Sequence, residues 1–369
     1  MKVPVNRPWF HGNEEKYLAE CIETGWISSE GPFIRKLEDA VRVKVDRAFG
    51  IAVSSGSAAL DIAITAIGLE KGDEVIMPTF SIISPAFSVL RAGAVPVLVD
   101  ADPTTWNMDV SAIEDKITSR TRAILVVHIY GLPVDMDPVL DLCKKYSLKL
   151  IEDAAEMHGQ TYKGKPCGSF GDISVFSFYP NKLVTTGEGG MLLTNDPALA
   201  ERCRKLRNLG FEENGRRFVH YEFGWNYRMT NMQAALGMAQ LEYWDDHLVK
   251  KKAIGKRYRQ AVQSLPNLRG QAHQCDYAEN VYWVFGIVME SQHQADKMTA
   301  FLQENGVGTR PFFWCMHEQP VFNNLGLFPN ERYPVAEELA RNGFYIPSGL
   351  GVTNEEIDHV IGMIKSFSN

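Results

Sequence analysis

Between residues 49 and 195 the chain alternates short apolar runs with longer amphipathic stretches. The runs 49–54, 74–77, 95–100, 123–128, 148–152, 173–178 and 191–194 are rich in β-branched residues and poor in charge. That texture predicts strands buried on both faces. Stretches such as 58–67 and 138–146 carry apolar residues at helical spacing. Strands alternating with helices predict an α/β class, with a mostly parallel seven-stranded sheet covered on both sides. Ligands of such sheets bind beyond the carboxyl ends of the strands. After residue 195 the pattern changes. Residues 197–209 read as a helix and 210–225 as a charged, aromatic loop, and a long helical stretch runs from near Asn231 through Trp244 towards Leu265. A strand over 281–289 and a helix over 292–305 predict a smaller α+β domain. The boundary is placed near residue 245, giving a large domain over 1–245 and a small one over 246–369.

A chain of 369 residues suits two such domains. Its 38 lysines and arginines stand against 45 aspartates and glutamates, a net charge of −7, which argues against nucleic acid as a partner. The six cysteines are scattered, with no C-x-x-C pair, so neither a disulfide framework nor a bound metal is expected. The opening residues lack the apolar core of a signal peptide, and no run of about 18 apolar residues exists to span a membrane. The expectation is a reduced, cytoplasmic protein.

Three segments carry chemistry. Val53-Ser54-Ser55-Gly56-Ser57-Ala58-Ala59-Leu60 reads as strand, small-residue turn and helix, where backbone N–H groups can approach an anion at a helix N-terminus. Taken alone it more readily describes a serine-capped helix. Asp153 follows an apolar strand in Leu150-Ile151-Glu152-Asp153-Ala154-Ala155-Glu156, where a carboxylate can meet a protonated pyridine nitrogen or simply cap the next helix. Lys182 lies just past the run Phe176-Ser177-Phe178 and before the glycine-rich Thr185-Thr186-Gly187-Glu188-Gly189-Gly190. Burial there would favour its neutral amine, the form that Schiff-base chemistry needs. Anion cradle, strand-end aspartate and lysine, in that order, make a cofactor site.

These motifs, together with 25–31, Gly72-Asp73-Glu74-Val75-Ile76, Gly168-Ser169-Phe170-Gly171-Asp172 and Asn226-Tyr227-Arg228-Met229-Thr230-Asn231, resemble the DegT/DnrJ/EryC1/StrS sugar aminotransferase family over essentially the whole chain. The resemblance implies an aspartate-aminotransferase-like large domain that binds pyridoxal 5'-phosphate. It implies that Lys182 is the lysine attached to the cofactor and that Asp153 pairs with the ring nitrogen. Glu156 would stand near the phenolic oxygen, where many relatives have glutamine. Gly56, Ser57, Ala58 and Ser177 match the phosphate-binding positions. Asn226 matches a residue that reaches the other subunit's cofactor, implying a homodimer with shared active sites. Glutamate would leave its amino group on the cofactor, and a nucleotide-linked keto-sugar would receive it, with the freed Lys182 amine moving the proton. One position departs from the family: after Pro78-Thr79-Phe80-Ser81 an aromatic residue is common, and here it is Ile82. Either Ile82 packs on the cofactor ring or Phe80 helps from nearby.

The stretch 309–313, followed by His317 and Pro320, and Asn181 before Lys182 are most similar to family members that aminate GDP-linked 4-keto-6-deoxymannose. Ser29, Arg310 and His317 are therefore candidate substrate residues, with a structural loop histidine as the alternative for His317. Pro180 and Trp314-Cys315 depart from that pattern, so UDP- or dTDP-linked 3- or 4-keto sugars stay open. A sugar dehydratase of this fold would have histidine in place of Lys182. A nicotinamide oxidoreductase would need a G-x-G-x-x-G after its first strand. A non-catalytic ligand sensor on the same fold is the remaining alternative. His128 reads as a core histidine, and His158 and Gln160 as pocket or structural residues. The run from Glu212 to Arg217 reads as a solvated loop or a loop over the site, and Lys250-Lys251-Lys252 as a solvated helix face.

Overall fold

The strands of the large sheet send alternate side chains into two different cores. On β1 (Phe49–Val53), Ile51 and Val53 enter one core while Ala52 enters the other. β2 (Glu74–Pro78) and β3 (Val95–Val99) are followed by β4 (Thr121–Val127), where Ala123, Leu125 and Val127 face the first core and Ile124 and Val126 the opposite side. β5 (Lys149–Asp153), β6 (Ile173–Ser177) and β7 (Gly190–Thr194) complete seven strands in the order β1-β7-β6-β5-β4-β2-β3. Two-sided burial explains the near-continuous apolar runs in the sequence. All neighbours are parallel except β7, which runs antiparallel to β1 and β6.

This is a computed structural model, and it describes residues 1–212, 215–216, 218–263 and 265–368. Helices α1 (Glu14–Thr24), α2 (Pro32–Lys44), α3 (Gly56–Ala66), α4 (Ser84–Arg91), α5 (Met136–Tyr146) and α6 (Pro197–Arg207) lie along or beside the sheet. The expected long helix from Asn231 is two helices, α7 (Asn231–Leu241) and α8 (Trp244–Val262). No glycine or proline separates them. The break comes from tertiary contacts: Glu242 accepts hydrogen bonds from Asn13 and Tyr17, and the Tyr243 ring packs on His11 and against Gly12.

The C-terminal part builds a second, antiparallel sheet from β8 (Leu268–Gly270), β9 (Phe285–Met289), β10 (Arg310–Pro311) and β11 (Gly343–Ile346), ordered β8-β9-β11-β10. Helices Gln292–Glu304 and Asn354–Ser368 supply its core with Met298, Leu302, Ile357, Val360 and Ile364. The N-terminal segment pairs with loops of this part: Val3 bridges Val307, and Val5 O accepts from Ser348 N. Among the described residues no helix is long and apolar enough to cross a membrane. Of the run 212–217, Glu213, Asn214 and Arg217 lie outside the described residues, while Glu212 pairs with Lys205 at 3.1 Å.

Candidate active site

Beyond the carboxyl ends of β1, β5 and β6 lies a cavity of about 450 Å³, within the usual range for small-molecule sites. Seven of the residues singled out in the sequence line it: Gly56, Ser57, Asp153, Glu156, Ser177, Lys182 and Arg310. At one end is the turn from β1 into α3. Ser55 caps α3 by accepting a hydrogen bond from Ala58 N (3.1 Å), which leaves the amides of Gly56 and Ser57 at the helix start. Gly56 is required here: a Cβ on it would stand 2.9 Å from Ser177 Cβ. The Ser57 hydroxyl meets that of Ser84 at 2.8 Å. Backbone donors, hydroxyls and a helix N-terminus at one place suit a phosphate.

Asp153, at the end of β5, is buried, and Ala155 N donates to its Oδ1 at 3.1 Å. Burial raises its pKa, opposed by the Ala155 hydrogen bond and the nearby Lys182 charge. Glu156 is buried as well, one turn further on. Its Oε2 accepts from Tyr130 N at 2.7 Å, an amide aimed by the left-handed backbone of Tyr130 (φ 60°). Burial pushes Glu156 up to about 8, against the pull of Lys182. The Lys182 Nζ lies 3.8 Å from Glu156 Oε1 and 3.7 Å from the centre of the Trp283 ring. Burial lowers the pKa of Lys182, while Glu156 and Asp153 work in the other direction. A buried amine that loses its proton readily, facing two buried acids, is the donor set for reversible carbon–nitrogen chemistry. Together with the cradle, these residues fit pyridoxal phosphate: Gly56, Ser57 and Ser177 for the phosphate, Asp153 for the ring nitrogen, and Lys182 for the aldehyde.

Of the two stacking alternatives, Ile82 lines the cavity and is 45% exposed. Phe80 is buried among Tyr130, Phe312 and Phe313. Four of the expected site residues lie elsewhere. Ala58 is buried within α3, and its N–H is already used by Ser55. His317 does not line the cavity: it is buried, with Nδ1 2.9 Å from Thr79 Oγ1 and Nε2 3.2 Å from Glu337 Oε1. With both ring nitrogens engaged, it ties the turn before Ile82 to helix Pro334–Asn342, which is the structural reading of this histidine. Ser29 is half-buried in a turn after α1, and Asn226 is exposed beside Asn208; neither lines this chain's cavity.

Other residues at the site escaped the sequence reading. Trp283, Phe313 and Tyr345 line the cavity, and Trp283 Nε1 also donates to Asn181 O at 3.0 Å. Trp283 sat inside a segment read as strand, so its pattern gave no sign that it faced Lys182. His128 is the satisfied core histidine expected, with Nε2 3.0 Å from Glu152 and Nδ1 accepting from Val134 N at 3.0 Å. Gln160 holds the Gly131 and Glu279 carbonyls. The reading of Lys250–Lys252 as a solvated face is corrected at Lys251, which is only 5% exposed and donates to Ser348 O.

The chain matches the model of the DegT/DnrJ/EryC1/StrS aminotransferase family over residues 10–365. It is 38% identical over 365 residues to the GDP-perosamine synthase of Escherichia coli O157:H7, covering 99% of this chain and 98% of that one. It is 41% identical to the GDP-perosamine synthase of Caulobacter vibrioides, covering 98% and 97%. Among solved structures it superposes on DesV of S. venezuelae with a TM-score of 0.90 at 30% identity, covering 97% and 94%. The sugar aminotransferase Spr1654 of Streptococcus pneumoniae, described as putative, shares the fold at a TM-score of 0.94 and 24% identity, covering 100% and 98%. Matched from end to end, with a buried lysine, two buried acids and an anion cradle around one cavity, the chain belongs to the DegT/DnrJ/EryC1/StrS aminotransferase family.

Proposed function

We propose that this chain is a pyridoxal-phosphate-dependent sugar aminotransferase that takes an amino group from glutamate and places it on GDP-linked 4-keto-6-deoxymannose, giving GDP-perosamine. The observation that carries this reading is the convergence of Lys182, Asp153, Glu156 and the Gly56–Ser57 turn on one cavity. The substrate is taken from the full-length likeness to two GDP-perosamine synthases at 38% and 41% identity. When bound, the cofactor supplies an electron-withdrawing ring and a carbon that carries the amino group. Asp153 keeps the ring nitrogen protonated, which maintains that electron demand. Gly56, Ser57 and Ser177 hold the phosphate and so fix the register of the ring against Lys182. The Lys182 amine moves a proton to and from the reacting carbon, as a general base and then a general acid. Trp283 and Glu156 orient it for that task. Arg310 lines the cavity, which supports its role in meeting the sugar nucleotide's diphosphate.

The working unit of this reading is a cytoplasmic homodimer. Phe223 is 99% exposed, and Tyr221, Trp26 and Ile27 are exposed as well. This exposed apolar surface supports the dimer reading. Asn226 follows Phe223 in the chain and stands outside its own cavity, in keeping with a role in the partner's site. The same reading divides the chain into a large domain over 1–245 and a small one over 246–369, and the nearby break between α7 and α8 supports that division.

The test is a panel of enzymatically prepared GDP-, UDP- and dTDP-linked keto-sugars, each incubated with enzyme, cofactor and glutamate and followed by mass spectrometry. Conversion of the GDP-linked 4-keto-6-deoxymannose to an amino-sugar nucleotide, with at least tenfold lower kcat/KM for the others, is the expected result. Preferential amination of a UDP- or dTDP-linked sugar would overturn the substrate assignment and leave the aminotransferase standing.

A further inference from the structure

Lys251 stands out among the groups that transamination does not use. It lies on α8 with its ammonium group buried, and it donates a hydrogen bond to Ser348 O. Among the described residues no carboxylate lies within 4.0 Å of it. A buried lysine without a counter-ion is costly unless it serves a purpose.

Two small hollows meet at this side chain. The first, about 10 Å³, is lined by Lys182, Asn181, Asn6, Gln240 and Lys251 among others. The second, also about 10 Å³, is lined by Glu156, His158, Trp283 and Lys251 among others. Each has the volume of a single water. Each also has a buried polar atom with no hydrogen-bond partner in the protein: Asn181 Oδ1, an acceptor, at the first, and His158 Nε2 at the second. His158 Nδ1 accepts from Val184 N at 3.3 Å, so Nε2 carries the hydrogen and is a donor. Burial holds this imidazole neutral, with its pKa down at about 3. Water-sized hollows with unmatched donors and acceptors are where internal waters reside.

Lys182 lines the first hollow and Glu156 the second, and both line the main cavity. Lys251 lines both hollows. We propose that Lys251 is a proton relay for Lys182, joined to it through one water and to Glu156 through another, behind the wall of the cofactor cavity. The proposal rests on the assignment of Lys182 as the reacting amine. The step is a proton exchange. An N–H bond of the Lys182 ammonium breaks, its proton passes through the water of the first hollow, and an N–H bond forms at Lys251. Lys182 is left as the neutral base with its lone pair, and Lys251 becomes the ammonium. The reverse step returns the proton when Lys182 must act as the acid. No electrons change hands, and no co-reactant is needed.

Charge balance supports this role. Burial lowers Lys251 to about 7, so the side chain exchanges its proton near neutral pH. The titratable groups that face it across the hollows are Lys182, Glu156 and His158, and His247 precedes it by one turn on α8. His158 stays neutral in the working range, so the exchange runs among Lys182, Lys251 and Glu156.

The experiment uses holoenzyme of wild type, Lys251→Met and Lys251→Arg. The absorbance band of the lysine-linked cofactor is titrated with pH at rest, and its loss after mixing with glutamate is followed in single turnovers. Wild type is expected to show a single-turnover rate that rises through an inflection near pH 7. Lys251→Met should keep the resting band, lack that inflection and react roughly tenfold more slowly at pH 8. Lys251→Arg keeps the charge but releases no proton, and it should be slowed likewise. A purely structural Lys251 would let Arg rescue, or would scale the whole profile with the inflection in place; either outcome overturns the relay. A wild-type band that survives Lys182→Ala would instead overturn the assignment of Lys182, and the relay with it.

Discussion

At the scale of single residues, burial sets the chemistry of the site. Lys182, Asp153 and Glu156 are each pushed towards their neutral forms by desolvation; Lys182 restrains the shift of both acids and they restrain its own, while Asp153 adds to the rise at Glu156. Glu156 has a direct consequence for stability. Its folded pKa is raised from 4.5 to about 8, so between those values the folded chain holds a proton that the unfolded chain releases. Its contribution to stability is therefore fully present below pH 4.5 and is lost as pH rises through about 8. Urea unfolding of the apoenzyme should show wild type losing more stability between pH 5 and pH 8 than Glu156→Gln does. Equal slopes for the two proteins would count against a proton on Glu156. His317 behaves differently. Its ring bonds Thr79 and Glu337, and Arg332 beside Glu337 holds that carboxyl down at about 2. His317→Ala should cost about 1–3 kcal/mol by leaving buried partners unmatched. The KM for the sugar nucleotide should stay within about twofold, as expected of a change of well under 1 kcal/mol in binding. A large rise in KM with unchanged stability would restore His317 to the substrate pocket.

Among elements, the parts legible in the sequence were those whose physics is local. The seven strands fell within a residue or two of the predicted runs because, apart from the edge strand β3 with its exposed Val95, they are buried on both faces and no polar alternation blurs them. The cradle was legible because a helix start with small residues is written in consecutive positions, and Asp153 and Lys182 because they follow buried strands. The split between α7 and α8 was not, because its cause lies in Asn13, Tyr17 and His11, more than two hundred residues away. The burial of Lys251 was hidden for the same reason: its neighbours Lys250 and Lys252 are polar, and the loop at Ser348 that covers it comes nearly a hundred residues later. Trp283 reached the site through a turn that the apolar pattern concealed. Helix α7, which carries Asn231 against the start of α2, begins with a complete capping box between Thr230 and Gln233. Thr230→Ala should lower stability by about 1 kcal/mol. Thermal melts should record that loss while the cofactor spectrum stays unchanged; a spectral change would mean that the cap also shapes the cavity.

For the whole molecule, the cavity lies between the large sheet and the C-terminal sheet: Val127, Asp153 and Ser177 at the ends of β4, β5 and β6, with the start of α3, supply one wall, and Trp283, Arg310 and Tyr345 the other. The N-terminal segment fastens the two, since Asn6 donates to Pro180 O beside Lys182 and Arg7 to Gly351 O and Glu356. The homodimer proposed above would place the exposed Phe223 against a second copy of the chain. Phe223→Asp should shift the protein towards monomer in sedimentation velocity and reduce cofactor retention together, because Asn226 then has no partner site to complete. A monomeric wild type with full cofactor occupancy would remove the shared-site reading. The central claim, that Lys182 carries the cofactor and passes on an amino group, is tested most directly by absorbance. Wild type reconstituted with pyridoxal phosphate should show the band of the lysine-linked cofactor and lose it on addition of glutamate, and Lys182→Ala should never form it. A band that persists in Lys182→Ala, or a wild-type band that glutamate leaves unchanged, would contradict the account.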